Sequence, residues 1–209
     1  MLHTESVPSG VIPVLKRLMS LPVLQEHTLV GGTALALKYG HRLSVDIDMF
    51  SPRSFDHGTV ISALKSEFGK ALVVEPANNP NWALFCFIED IKVDLVPYDH
   101  RSLEPHTVEE GIRLCAIADI GAMKIQAILS RGKKKDFWDL HELLQHHTLT
   151  QLIEWHEAKF PDQLYAIFTP KALIYFTDAD KSETPICRKG LKWEDIKANI
   201  ERVVRNYLS

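Results

Sequence analysis

The sequence is poor in the features that would make it anything but an ordinary globular chain. Its 209 residues include only 3 Cys, 10 Gly and 11 Pro. Glycine and proline at that level exclude collagen-like repeats and low-complexity tracts. The cysteines (Cys86, Cys115 and Cys187) are odd in number and widely spaced. They fit neither a disulfide framework nor a zinc site, and read as small core residues in a reducing compartment. No apolar run approaches the ~20 residues of a membrane span; that from Ala83 to Ile88 is far short. Met1-Leu2-His3-Thr4-Glu5 lacks the basic-then-apolar pattern of a secretory leader. A cytoplasmic protein without membrane contact is expected.

Excess charge is missing too. The formal charge is −3, with 8 Lys/Arg against 11 Asp/Glu in residues 1–100 and 16 against 16 in the rest. Such a chain is no general polyanion binder. Contact with nucleic acid would need a local patch, and Arg131-Gly132-Lys133-Lys134-Lys135 is a candidate, although by itself such a run is a solvated turn. Gly-x-x-x-x-Gly-Lys-Ser/Thr and Gly-x-Gly-x-x-Gly are both absent, which removes P-loop and Rossmann readings. His141 and His146 flank a Glu as in zinc proteases, but at i, i+5 they lie ~140° apart on a helix and cannot chelate together.

What is present suffices for a core. Hydrophobic residues make up 45% of the chain, and at ~150 residues per domain the length allows one large domain or two small ones. The spacing predicts helices over 11–20, 33–39 and 57–68, the last capped by Ser54 or Asp56. Ser44 to Phe50 alternates as a half-buried strand, with Val45, Ile47 and Met49 on one face and Asp46 and Asp48 on the other. Residues 72–75 read as a further strand, Asn78–Asn81 as a turn, and 82–88 with 91–97 as a hairpin that places Lys92 and Asp94 on one face. From about residue 105 the pattern becomes helical: Asp119 caps a helix to about Arg131, followed by helices over 135–146, 150–159, 163–176 and 193–208, with a loop over 178–189. Trp82, Trp138, Trp155 and Trp193 are expected in the core. The fold class is α+β, a small mixed-sheet core over 1–104 with a helical C-terminal domain over 105–209.

The leading signal is Gly31-Gly32-Thr33, a short helix, then Asp46-Ile47-Asp48, with Asp94 on a later strand. Glycines let backbone N–H groups approach phosphates at a helix N-terminus, where the dipole favours anions, and the Thr33 hydroxyl can add a bond. Asp at i and i+2 of a strand share one face, ~6.6 Å apart. That spacing suits chelation of Mg²⁺ ions ~3.5–4 Å apart, with Asp94 completing the cage. Asp-x-Asp alone would be a solvated strand edge; the company of the glycines and Asp94 favours phosphoryl-transfer chemistry.

Gly31-Gly32-Thr33-Ala34-Leu35 followed by Arg42-Leu43-Ser44-Val45-Asp46-Ile47-Asp48-Met49-Phe50 resembles the signature of the AbiEii/AbiGii-type nucleotidyltransferases, in the DNA polymerase β-like superfamily. Ala122-Met123-Lys124-Ile125-Gln126-Ala127-Ile128, Arg131-Gly132 and Lys135-Asp136-Phe137-Trp138-Asp139-Leu140 resemble the second, more specific family signature. The tail, Ala172–Asp180, Pro185 and Trp193–Lys197, is similar as well. The resemblance implies NMP transfer from an NTP to an acceptor hydroxyl, with pyrophosphate released. Asp46, Asp48 and Asp94 would hold Mg²⁺ or Mn²⁺, and Gly31, Gly32 and Thr33 would hold the phosphates. Lys124 would hold the triphosphate with support from Arg131, and Asp136 would orient that lysine or an acceptor hydroxyl. Asp139 stays open between a helix cap and a site role. The resemblance further implies a toxin of a bacterial toxin–antitoxin or phage-defence pair, with an antitoxin partner and an RNA acceptor such as tRNA. An aminoglycoside-type small-molecule transferase and a non-catalytic nucleotide- or partner-binding module are the alternatives.

Overall fold

The computed structural model describes residues 1–75, 82–161 and 169–209; the expected turn at 78–81 lies outside them. The chain forms two compact units. One comprises Met1–Lys38, Ser44–His100 and His106–Cys115, the other Tyr39–Leu43, Arg101–Pro105 and Ala116–Ser209.

The first unit is built on a seven-stranded mixed sheet. Its strands are β1 (Thr28–Leu29), β2 (Ile47–Ser51), β3 (Leu72–Val74), β4 (Leu84–Ile88), β5 (Ile91–Pro97), β6 (Thr107–Glu109) and β7 (Ile112–Leu114), in the order β3-β4-β5-β2-β1-β7-β6. The β2–β5 and β1–β7 pairs are parallel and the others antiparallel. Three helices accompany it: α1 (Val11–Ser20), α2 (Gly31–Tyr39) and α3 (His57–Phe68). Val11, Val14, Leu15 and Leu18 of α1 follow helical spacing and are fully buried. Each such side chain contributes about 1.5–3 kcal/mol by leaving water. Asp56 caps α3, accepting from Thr59 N at 2.7 Å, and Gly69 follows with φ 54°. The β4–β5 hairpin turns through Glu89 and Asp90, both at positive φ (51° and 63°), as a two-residue hairpin requires.

Two expectations change here. β2 begins at Ile47, and Val45 is exposed rather than packed under it. Residues 107–114 are a hairpin, not the start of the helical region. Glu110 and Gly111 take φ 53° and 82°, and β7 returns beside β1 through the Leu29–Leu114 register. Strands of three residues are too short to show periodicity. The hairpin is anchored by Arg113, whose guanidinium donates to the carbonyls of His27, Met19 and Leu24 at 2.9, 3.0 and 2.9 Å. His27 is buried with neither ring nitrogen hydrogen-bonded. Burial, aided by Arg113, lowers its pKa to about 4.

The second unit is helical: α4 (Ile117–Ser130), α5 (Lys134–Leu143), α6 (Leu149–Lys159), the short α7 (Thr169–Ala172) and α8 (Thr177–Asp180), and α9 (Trp193–Leu208). Of the helix expected over 163–176, residues 163–168 lie outside the described ones; the remainder forms α7 and a turn. α8 lies where a loop was expected. At Gly121 a Cβ would stand 3.1 Å from Leu152 and 3.2 Å from Trp155, so glycine sets the approach of α4 to α6. Asp119 does not cap α4. It accepts the backbone N–H groups of Leu103 and Glu104 and the ammonium of Lys159 at 2.6 Å, tying residues 101–105 to this unit. Thr148 and Gln151 form a reciprocal capping box at α6. Trp138 and Trp193 stack at 5.5 Å, and Phe137 and Phe176 meet Trp193 edge-on. Trp82, in contrast, is exposed, and Trp155 is half-buried.

Candidate active site

The predicted site residues form two clusters, one in each unit. In the first, parallel pairing puts Asp48 opposite Asp94 in register. The neighbours Ile47, Met49, Val93 and Leu95 are fully buried, which turns the two carboxylates to the other face of the sheet. Asp46 lies two residues before Asp48. Lys92, two residues before Asp94 and on its face, donates from Nζ to Asp94 Oδ2 at 2.5 Å. Burial alone would lower the Lys92 pKa. The bond to Asp94 and the charges of Asp94, Asp48 and Asp46 outweigh burial and raise it. This lysine therefore registers all three carboxylates. Asp94 Oδ1 is buried without a hydrogen-bond partner.

The glycine motif is packed against this acidic face. Gly31 opens α2 at φ 68°, and a Cβ there would lie 3.2 Å from Asp48 Oδ2. Both its backbone and its neighbour thus require glycine. Val30 N donates to Asp48 O at 2.9 Å. Thr33 is buried, and its hydroxyl bonds Ser44 Oγ at 2.9 Å and the Asp46 carbonyl. The hydroxyl expected at a phosphate fixes instead the segment that leads into Asp46 and Asp48. Among the described residues, no three His, Cys, Asp or Glu side chains are arranged to hold a metal ion.

The second cluster is a buried network of charge. Asp139, fully buried, receives Arg42 Nε at 2.6 Å and Nη2 at 2.9 Å, His41 Nε2 at 2.7 Å and Lys124 Nζ at 2.6 Å. Burial would raise its pKa. The two cations and the bonds from His41 and Arg42 hold it well below the ordinary carboxylate range. Asp136, also fully buried, lies 3.3 Å from Lys124 Nζ and from Arg131 Nε and Nη2. Its pKa is lowered as well: burial opposes this, and Lys124 and Arg131 prevail. Lys124 and Arg131 thus share Asp136, as their seven-residue spacing on α4 and its C-terminus allows. An ammonium has three protons to donate; Asp139 and Asp136 engage two of those on Lys124.

With both clusters described, comparison with known proteins gives them a context. The model of the nucleotidyl transferase AbiEii toxin family, type IV toxin–antitoxin system, matches residues 14–206. The chain belongs to that family. It is therefore a nucleotidyltransferase of a toxin family. An uncharacterized Aquifex aeolicus (strain VF5) protein is 31% identical to this transferase over 200 residues, spanning 93% of this chain and 94% of that one. The fold is similar to JHP933 from Helicobacter pylori, with TM-score 0.59 and 20% identity over 94% of this chain and 88% of that one. It is also similar to MenT4, a nucleotidyltransferase toxin from Mycobacterium tuberculosis H37Rv, with TM-score 0.57 and 12% identity over 93% and 82%. The expected mixed-sheet core and helical half match the fold of these two structures.

Several participants carried no role in the sequence reading. Arg42 was legible as part of a signature, but its two-bond grip on Asp139 needed the fold, 97 residues separating them. Lys92 had a visible signal in its i, i+2 alternation with Asp94. His141 and His146 take separate places: His146 stacks on Tyr39 at 4.3 Å and pairs with Glu142 at 3.0 Å.

Proposed function

We propose that this transferase moves NMP from an NTP to an acceptor hydroxyl on an RNA end, such as that of tRNA, and that a cognate antitoxin restrains it. The observation that carries the reading is the Asp48–Asp94 register, with Gly31 against Asp48. That face unites the acidic donors with the helix N-terminus that phosphate binding calls for.

Asp46, Asp48 and Asp94 would hold a divalent cation. The donors suit it by their chemistry and not as a preformed cage of three: all are hard oxygens of the kind Mg²⁺ and Mn²⁺ prefer, and Asp94 Oδ1 is a buried acceptor with no donor of its own. The cation, when bound, supplies positive charge to the phosphate under attack. The backbone N–H groups of Gly31, Gly32 and Thr33 would receive phosphate oxygens at the start of α2, while the Thr33 hydroxyl keeps the Asp46 segment in place. Lys124 would offer its third proton to the triphosphate, neutralising charge that grows during transfer. Asp136 and Asp139 orient that lysine, and Arg131 supports it. A basic cavity of about 470 Å³, lined by Lys133, Lys135, Lys181, Ser182 and Glu183, supports an RNA acceptor.

The test is incubation of the protein with each labelled NTP, Mg²⁺ and total cellular RNA. Label should appear in RNA with one NTP, disappear in Asp48→Asn, and disappear in Lys124→Ala together with NTP affinity. Paired Lys133→Ala and Lys181→Ala changes should weaken RNA binding and flatten its salt dependence by about one logarithmic unit per lost phosphate contact. Label in a small molecule alone would refute the RNA acceptor; no incorporation with any NTP would refute the reaction.

A further inference from the structure

The two oxygens of Asp94 differ in a way the proposed chemistry does not require. Oδ2 is engaged by the Lys92 ammonium at 2.5 Å, whereas Oδ1 is buried with no partner. A buried carboxylate oxygen without a donor has lost its hydration with nothing in exchange, which is costly. A structure that retains one has either a ligand for it or a reason to hold it in place. The alternation of β5 gives the reason. Lys92 and Asp94 occupy the same face two residues apart, Asp48 is the register partner of Asp94, and the lysine charge interacts with Asp46 and Asp48 as well. Three carboxylates on one face repel one another, and Lys92 is the cation placed to offset them. Its side chain keeps 41% of its exposure against 15% for Asp94. The stem therefore has room to move while the carboxylate has little.

We propose that Lys92 is the built-in counter-cation of the acidic trio: it compensates the carboxylates when no metal is bound and, by engaging Oδ2, leaves Oδ1 as the one Asp94 oxygen offered to a divalent cation. Lys92 thereby weakens metal binding by the protein alone, so that the divalent ion loads together with the polyanionic triphosphate rather than ahead of it. The inference rests on the trio being the metal site, as proposed above.

The experiment is Mn²⁺ binding to the full chain without nucleotide, read by calorimetry or by the electron paramagnetic resonance signal of free Mn²⁺, in wild type, Lys92→Met, Lys92→Arg and Asp48→Asn. Removing a unit positive charge beside a divalent ion should tighten Mn²⁺ binding about three- to tenfold in Lys92→Met, given the partial exposure of the pair. Lys92→Arg should stay within about twofold of wild type. Without metal, Lys92→Met should melt below wild type, and saturating Mn²⁺ should close that gap. Unchanged or weaker Mn²⁺ affinity in Lys92→Met, with wild-type binding abolished by Asp48→Asn, would overturn this inference and leave the metal site standing. Wild-type binding that Asp48→Asn does not affect, or no binding at all, would overturn the metal site and this inference with it. Should Lys92→Met fail to fold, Lys92→Gln decides by the same measurement.

Discussion

Asp139→Asn isolates the buried network because the substitution preserves shape and removes charge. Asp139 is fully buried and receives four donors, two from Arg42, one from His41 and one from Lys124, at 2.6–2.9 Å. Arg42 and Lys124 are themselves only 4% and 6% exposed, so little solvent is at hand to replace the lost anion. An amide in this position also turns one N–H group towards a cation. Breaking a buried pair in this way costs about 3–5 kcal/mol, which in a chain of this length corresponds to roughly 10 °C in Tm. Thermal or urea unfolding followed by circular dichroism at pH 7 measures the loss.

The pH dependence supplies a sharper criterion. The folded Asp139 pKa is depressed, so the unfolded state takes up the proton first. The stabilisation is therefore complete above the unfolded carboxylate value of about 3.9 and is lost as pH falls through the folded value. The gap between wild type and Asp139→Asn should stay constant from pH 8 to pH 5 and narrow in stronger acid. A gap under about 1 kcal/mol at pH 7, or one that shrinks between pH 7 and pH 5, would refute the reasoning.

Two further outcomes follow from single positions. Gly31→Ala combines a φ of 68° with a Cβ 3.2 Å from Asp48 Oδ2; it should cost about 1–2 kcal/mol from the backbone alone and also weaken Mn²⁺ binding, and a variant binding Mn²⁺ as wild type does would show that Asp48 tolerates the methyl. His27, buried with a pKa of about 4, stays neutral when folded while the unfolded chain protonates near 6.5, so stability should fall as pH drops from 6.5 to 4, by about 3 kcal/mol in all. His27→Phe should flatten that part of the curve, and an equal slope in both proteins would assign the loss to other groups.

Long periodic elements were legible in the sequence. α1, α3 and α9 occupy the residues their apolar spacing predicts, because each buries one face and meets polar or capping residues at its ends. The β6–β7 hairpin was hidden. Thr107–Glu109 and Ile112–Leu114 are too short for a period of two to show, and what fixes them is non-local: the β1 register and the three carbonyls that hold Arg113. Asp119 misled for a similar reason. Local rules make it a helix cap, but its carboxylate is taken by Lys159, 40 residues away, and by the backbone of residues 103 and 104.

The candidate site divides along the same line. The acidic face could be read because strand alternation is local: Asp48, Lys92 and Asp94 fall on their face once β2 and β5 are recognised, while Asp46 precedes β2. Parallel pairing then needs to add only the register. The Asp139 network was out of reach, since its members come from residues 41–42, from α4 and from α5, and no local rule selects which carboxylate a buried arginine will take. For Asp139 the sequence allows a helix cap or a site role, and the first is not what the fold shows. It makes no capping bond, and its four acceptor sites are filled by protein donors. A carboxylate so saturated has no lone pair left for a metal or a substrate hydroxyl, so its contribution must pass through what it holds. What it holds includes Lys124, fixed between Asp139 at 2.6 Å and Asp136 at 3.3 Å. Two carboxylates of α5 fix where the Lys124 nitrogen points, and that positioning is what Asp139 can contribute to a site.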